Sequence, residues 1–154
     1  MSAERHSGPV LPRRAFVAAG LSAVLAGSLV GLGWIGGASR IETGVFQFSR
    51  GLSFAAGEED RLRALLARAL TDERIHVTIL GHTGDAGDAA ANLALSEERA
   101  ALAAAMAAEL GVSPERVLAR GLGGASPLAR ESGESDRAYQ ARLARVEASL
   151  QMRR

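Results

Sequence analysis

Residues 81–100 read GHTGDAGDAAANLALSEERA, and this stretch decides the fold because it joins three segments of different periodicity. Upstream, Ile75, Val77 and Ile79 alternate with His76 and Thr78, the period of two that marks a strand with one face in a core. Between, Gly84 to Asp88 is built of Gly, Asp and Ala, which turn readily and let backbone amides approach a ligand. Downstream, Ser96 has the chemistry of a helix N-cap, and Glu97 and Glu98 suit a first turn. An Ala-rich helix is predicted from there through Leu102 and Met106 to Leu110, ending at Gly111.

Outward from this centre the same logic continues. Val45 to Phe48 reads as a strand with Phe46 and Phe48 on one face, and Phe54 extends that surface past the turn at Gly51. Glu58, Glu59 and Asp60 stand where a helix N-terminus favours negative charge. Leu62, Leu65, Leu66, Ala69 and Leu70 then form one apolar stripe. Ser113-Pro114-Glu115 reads as a single helical turn leading into a strand over Val117 to Arg120. Gly121, Gly123 and Gly124 open a loop, Glu131 to Asp136 reads as a polar, mobile loop, and Ala144 to Gln151 alternates as a last strand. The order strand, helix, strand, helix, strand, strand implies an α/β (α+β) two-layer sandwich with its helices on one face of the sheet.

The chain of 154 residues has room for one small domain and an N-terminal appendage. No Cys is present, so disulfides, thiolate metal sites and a lipidated Cys are excluded. The 18 basic residues are all Arg. From Arg40 onward they are interspersed with a similar number of acids, which leaves no one-signed face for nucleic acid.

Residues 1–14 carry Arg5, Arg13 and Arg14, and residues 15–38 are uncharged. At about 1.5 Å per residue that run can cross about 30 Å of hydrocarbon. The positive-inside bias puts residues 1–14 in the cytoplasm and everything after the span outside. A second reading takes Pro12-Arg13-Arg14-Ala15-Phe16-Val17 as similar to a twin-arginine export signal cleaved near Gly36-Gly37-Ala38. The domain is exported in both. Ala19, Ala23, Gly27 and Gly31 would admit a partner helix or a second copy, and the span holds no acid for ion-motive work. Residues 39–44 read as a linker and 45–154 as the folded domain.

Two spaced motifs carry a resemblance. Gly81, His82, Thr83, Gly87, Asn92, Leu95, Ser96, Arg99 and Ala100 fall in register with the pattern G-H-T-D-x-x-G-x-x-x-x-N-x-x-L-S-x-x-R-A of the OmpA-like (OmpA/MotB C-terminal) peptidoglycan-binding domain. Residues 120–127, RGLGGASP, resemble that family's R-G-x-G-x-x-x-P, and Arg145, Val146 and Glu147 match part of its N-R-R-V-E-I. Departures are Gly84 in place of the Asp, with Asp85 one residue on, and Leu143 and Ala144 in place of Asn and Arg. The resemblance covers about residues 44–152 and implies the same two-layer βαβαβ-β architecture.

It also implies a ligand, the diaminopimelate of the peptidoglycan stem peptide, held by Arg99 on its carboxylate and an acid on its amine. Asp85 is the expected substitute for the missing acid, with Asn92, His82, Thr83 and Gly84 alongside. Counted from Ser96, Arg99 falls in a first helical turn, a poor place for a cation unless an anion is near. The other reading of Arg99 is an ion pair with Asp85, Asp88 or Glu98. Neither a metal site from His82, Asp85 and Asp88 nor a Ser96-His82-Asp85 triad has supporting motifs, so no metal, cofactor or catalysis is expected. The implied function is a non-catalytic bacterial envelope protein joining the inner membrane to peptidoglycan from the periplasm. The alternative is an assembly subunit of a membrane complex whose domain has lost that ligand.

Overall fold

The computed structural model describes residues 39–153, so the expectations for residues 15–38 lie outside the described residues. In chain order the elements are β1 (Ser39–Arg50), β2 (Ser53–Phe54), α1 (Glu58–Ala67), β3 (Ile75–Gly81), α2 (Ala89–Glu109), β4 (Val117–Gly121), α3 (Asp136–Leu143) and β5 (Arg145–Met152). Short 3-10 turns follow α1 at Arg68–Thr71 and precede β4 at Pro114–Arg116. The five strands form one sheet in the order β2-β1-β5-β3-β4. β3 and β4 are parallel, and the remaining pairs are antiparallel.

The predicted alternation builds the core. Ile75, Val77 and Ile79 are buried along β3, and Val146, Ala148 and Leu150 along β5. Leu62, Leu65 and Leu66 from α1 and Ala100, Ala103, Met106 and Ala107 from α2 meet them in one cluster with Phe46 and Phe48. Burying such side chains is worth roughly 1.5–3 kcal/mol for each large one. Two helices on one sheet are thus the two-layer sandwich the pattern predicts. Arg116 ties its far end: Nε and Nη2 donate to the Ile75 carbonyl at 3.0 and 2.8 Å, and Nη2 also reaches the carbonyls of Ala69 and Asp72. It thereby satisfies orphan acceptors where the α1 segment ends.

Four local readings are corrected. β1 begins at Ser39, so residues 39–44 are strand paired with β5 rather than a linker. α2 begins at Ala89, capped by Asp88, whose carboxylate accepts from the Ala91 amide at 2.7 Å; Ser96 lies two turns inside the helix. α3 is an added helix, capped by Ser135 and buried through Tyr139 and Leu143. Residues 131–136 are held to it: Arg142 grips Glu134 at 2.8 Å, Arg130 grips Asp136 at 2.7 Å, and the Tyr139 hydroxyl donates to Leu128 O. Among the described residues no helix is long and apolar enough to cross a membrane.

Candidate functional site

β3 and β4 end side by side, with Gly81 opposite Gly121. α2 lies across both ends at backbone distance. A Cβ on Gly81 would run into the Ser96 carbonyl oxygen, and one on Gly121 into the Glu97 amide nitrogen and the Ser96 hydroxyl. These glycines serve helix-on-strand packing. Ser96 completes the joint: its Oγ donates to Leu93 O at 2.7 Å and accepts the Gly123 amide at 2.8 Å. The Thr83 amide donates to Gly123 O at 3.0 Å, so the two glycine loops are laced together.

This packing fixes Arg99. Its side chain points inward from the third turn of α2, and the residue is 3% exposed. Nε donates to Gly51 O in the β1–β2 turn at 2.9 Å, and Nη1 donates to His82 O at 2.8 Å. The guanidinium carbon stands 4.7 Å from the centre of the Phe48 ring, itself stacked on Phe54 at 4.4 Å. No carboxylate pairs with Arg99 among the described residues, which removes the ion pair with Asp85, Asp88 or Glu98. Burial pulls its pKa down from the usual arginine value. Among the described residues its Nη2 donates to no protein acceptor, yet it is not sealed from solvent. A cation held by carbonyls and a ring keeps its whole charge for an anion arriving at that nitrogen.

The other predicted site residues divide between this centre and the loop. His82 gives its carbonyl to Arg99, but the residue is 2% exposed and both ring nitrogens lack a hydrogen-bond partner among the described residues. Glu147 Oε1 lies 3.6 Å from His82 Nε2 and 2.7 Å from Arg145 Nη2, so Arg145 holds that carboxylate. Burial first, and Arg145 second, push the His82 pKa down to about 4, against a smaller opposing pull from Glu147. Thr83 is buried, its hydroxyl donating to Gly84 O at 3.1 Å. Asn92 braces the loop by donating to Ala86 O at 2.9 Å.

Asp85 is exposed and accepts from Gln140 Nε2 at 2.5 Å. Among the described residues no hydrogen bond joins it to Arg99, nor do His82, Asp85 and Ser96 bond to one another. The amides of Gly84 to Asp88 donate to no protein acceptor among the described residues. A groove of about 580 Å³ lies between the β1–β2 hairpin, α1 and the later turns of α2, bordered by Leu52, Phe54, Asp60, Arg63, Leu102 and Met106. It includes none of the predicted ligand residues.

Sequence reasoning missed Gln140, Phe48 and the Gly51 carbonyl as parts of the site. Ser135, Asp136 and the Tyr139–Leu143 spacing of four were the available signal for the helix that carries Gln140.

Fold and site together define an α/β sandwich module with a glycine-laced loop cluster where its parallel strands end. Residues 55–141 match the OmpA family, and the chain belongs to it. Among solved structures it is similar to the peptidoglycan-associated lipoprotein of Burkholderia pseudomallei, at 25% identity and a TM-score of 0.59 over 70% of this chain and 88% of that one. A MotB-like protein from Desulfovibrio vulgaris is similar at 29% identity and a TM-score of 0.55, over 70% of each chain. The OmpA-like domain of FopA1 from Francisella tularensis shares the fold at 20% identity and a TM-score of 0.61, over 75% of this chain and 80% of that one. No curated protein matches the sequence.

Proposed function

We propose that this protein is a non-catalytic component of the bacterial cell envelope whose periplasmic OmpA-family domain holds peptidoglycan, with residues 15–38 anchoring it in the inner membrane. The observation that carries the reading is Arg99, a buried guanidinium with no counter-ion among the described residues and one nitrogen still open. A carboxylate of the stem-peptide diaminopimelate is the partner that this charge lacks, and the amides of Gly84 to Asp88, without acceptors among the described residues, offer further donors. Family membership and the likeness to the Burkholderia peptidoglycan-associated lipoprotein support the same ligand class. Retention on purified sacculi, compared with Arg99→Ala at matched folded concentration, tests it. Equal retention of both proteins would remove Arg99 from wall binding, and no retention of either would remove wall binding altogether. The intact mass of the mature protein distinguishes a retained anchor from a cleaved export signal.

One observation favours a second reading. Gly84 replaces the expected acid, and Asp85, its expected substitute, is engaged by Gln140. In that reading the domain is a structural subunit of an envelope complex that has lost the wall ligand. Co-purification with stoichiometric partners, and no chemical-shift change on adding a diaminopimelate peptide, would establish it.

A further inference from the structure

The space above Gly84 is filled from another element. A Cβ at Gly84 would collide with Gln140 Oε1 and lie 3.3 Å from its Cδ, so the Gln140 amide occupies the volume a side chain at residue 84 would take. Its orientation is set by chemistry. Asp85 Oδ1 can only accept, so the amide turns Nε2 towards it, at 2.5 Å, and leaves Oε1 facing Gly84. Oε1 receives no protein donor among the described residues and is not sealed from solvent. Gln140 is held in place because α3 is anchored on either side of it, by Tyr139 at 7% exposure and Leu143 at 0%. Across the loop, a Cβ on Gly124 would meet Gly84 O at 2.7 Å and Asp85 Cα at 2.8 Å, so the backbone at residues 84 and 85 is closely backed.

Resting on the wall-binding reading above, we propose that Gln140 is the residue that receives the side-chain amine of diaminopimelate, its Oε1 standing where a carboxylate at residue 84 would stand. Asp85 acts behind it, fixing the amide and placing a negative charge one hydrogen bond further from the ammonium. Arg99 takes the neighbouring carboxylate, its Nη1 on the His82 carbonyl two residues before Gly84. The pairing is between an ammonium and a neutral oxygen, so it depends on salt less than an ion pair would. It also explains how the site dispenses with an acid at residue 84: the acceptor comes from α3 instead of the loop.

The test is calorimetric titration of the full chain in detergent with two synthetic stem tripeptides. One ends in meso-diaminopimelate, and the other carries 2-aminopimelate, which keeps the distal carboxylate and lacks the amine. Gln140→Ala should weaken binding of the first by about tenfold or more and leave the second within about twofold. Gly84→Asp should gain nothing while Gln140 fills the space, whereas Gly84→Asp/Gln140→Ala should bind the diaminopimelate peptide more tightly than Gln140→Ala alone. Equal losses for both peptides, or none, would overturn the assignment of Gln140 while leaving wall binding in place. Failure of the unsubstituted protein to bind either peptide would overturn the wall-binding reading and this assignment with it. Thermal melts of each variant separate lost binding from lost folding.

Discussion

Taking the domain from pH 7 to pH 4 should cost it about 3 kcal/mol through His82 alone. The ring is buried without a hydrogen bond to either nitrogen, beside the Arg145 guanidinium, and its pKa falls from 6.5 to about 4. In the unfolded chain the same side chain titrates near its ordinary value. As the pH drops, the unfolded state therefore takes up the proton first and is favoured. Stability from this group is whole above about pH 6.5 and declines by about 1.4 kcal/mol per unit down to about pH 4, where the folded state protonates too. Asp72 and Glu134, held at about 2 by Arg74 and Arg142, lose their contributions in a separate window, below the ordinary carboxylate range. Urea unfolding in steps from pH 7.5 to 4.5, for the parent and His82→Gln, isolates the imidazole. The parent should lose stability steadily below pH 6.5, while the variant stays nearly flat. Parallel curves for the two proteins would refute the reasoning, as would a parent that gains stability on acidification.

The packing of α2 gives three further predictions. Gly81→Ala and Gly121→Ala each force a methyl into helix backbone, and each should cost about 2 kcal/mol or more in urea unfolding; parental stability would disprove the close approach. Ser96→Ala leaves the Gly123 amide without its acceptor and should cost about 1–3 kcal/mol, with faster hydrogen exchange at Gly123. Arg99→Lys keeps the charge but cannot reach both the Gly51 and His82 carbonyls. Melting should fall by an amount equivalent to about 1–2 kcal/mol, and retention on sacculi should drop although the net charge is unchanged.

What could be read in the sequence was whatever repeats. The alternation of Ile75, Val77 and Ile79 and the stripe of Leu62, Leu65 and Leu66 named both layers of the sandwich, because burial on one face leaves a period in the chain. Helix starts were less legible. Ser96 has the right chemistry for a cap, but so does Asp88, and Ala89 to Leu95 has no apolar period to choose between them. The tertiary bond from Gly123 to Ser96 uses the hydroxyl inside the helix instead. For the site, the motif pointed to Arg99 but not to its surroundings. Gly51 O, Phe48 and Gln140 come from three other elements, and contacts that far apart in sequence leave no local pattern.

The way Arg99 is held bears on how such a site can bind at all. Had its counter-ion been Asp85 or Glu98, a ligand carboxylate would have to displace that partner, and the exchange of one ion pair for another gains little. Carbonyls of Gly51 and His82 orient the guanidinium without neutralising it, and the Phe48 ring covers one face. The unbound domain then carries a buried charge at a real cost in stability, offset by core burial around it. Under the proposed wall-binding function that cost would be recovered on docking of an anion, since the ligand would complete the electrostatics. Binding should accordingly raise the melting temperature more than an exposed arginine could, and Arg99→Met should abolish that rise. A variant still stabilised by the diaminopimelate peptide after Arg99→Met would place the anion elsewhere on the domain.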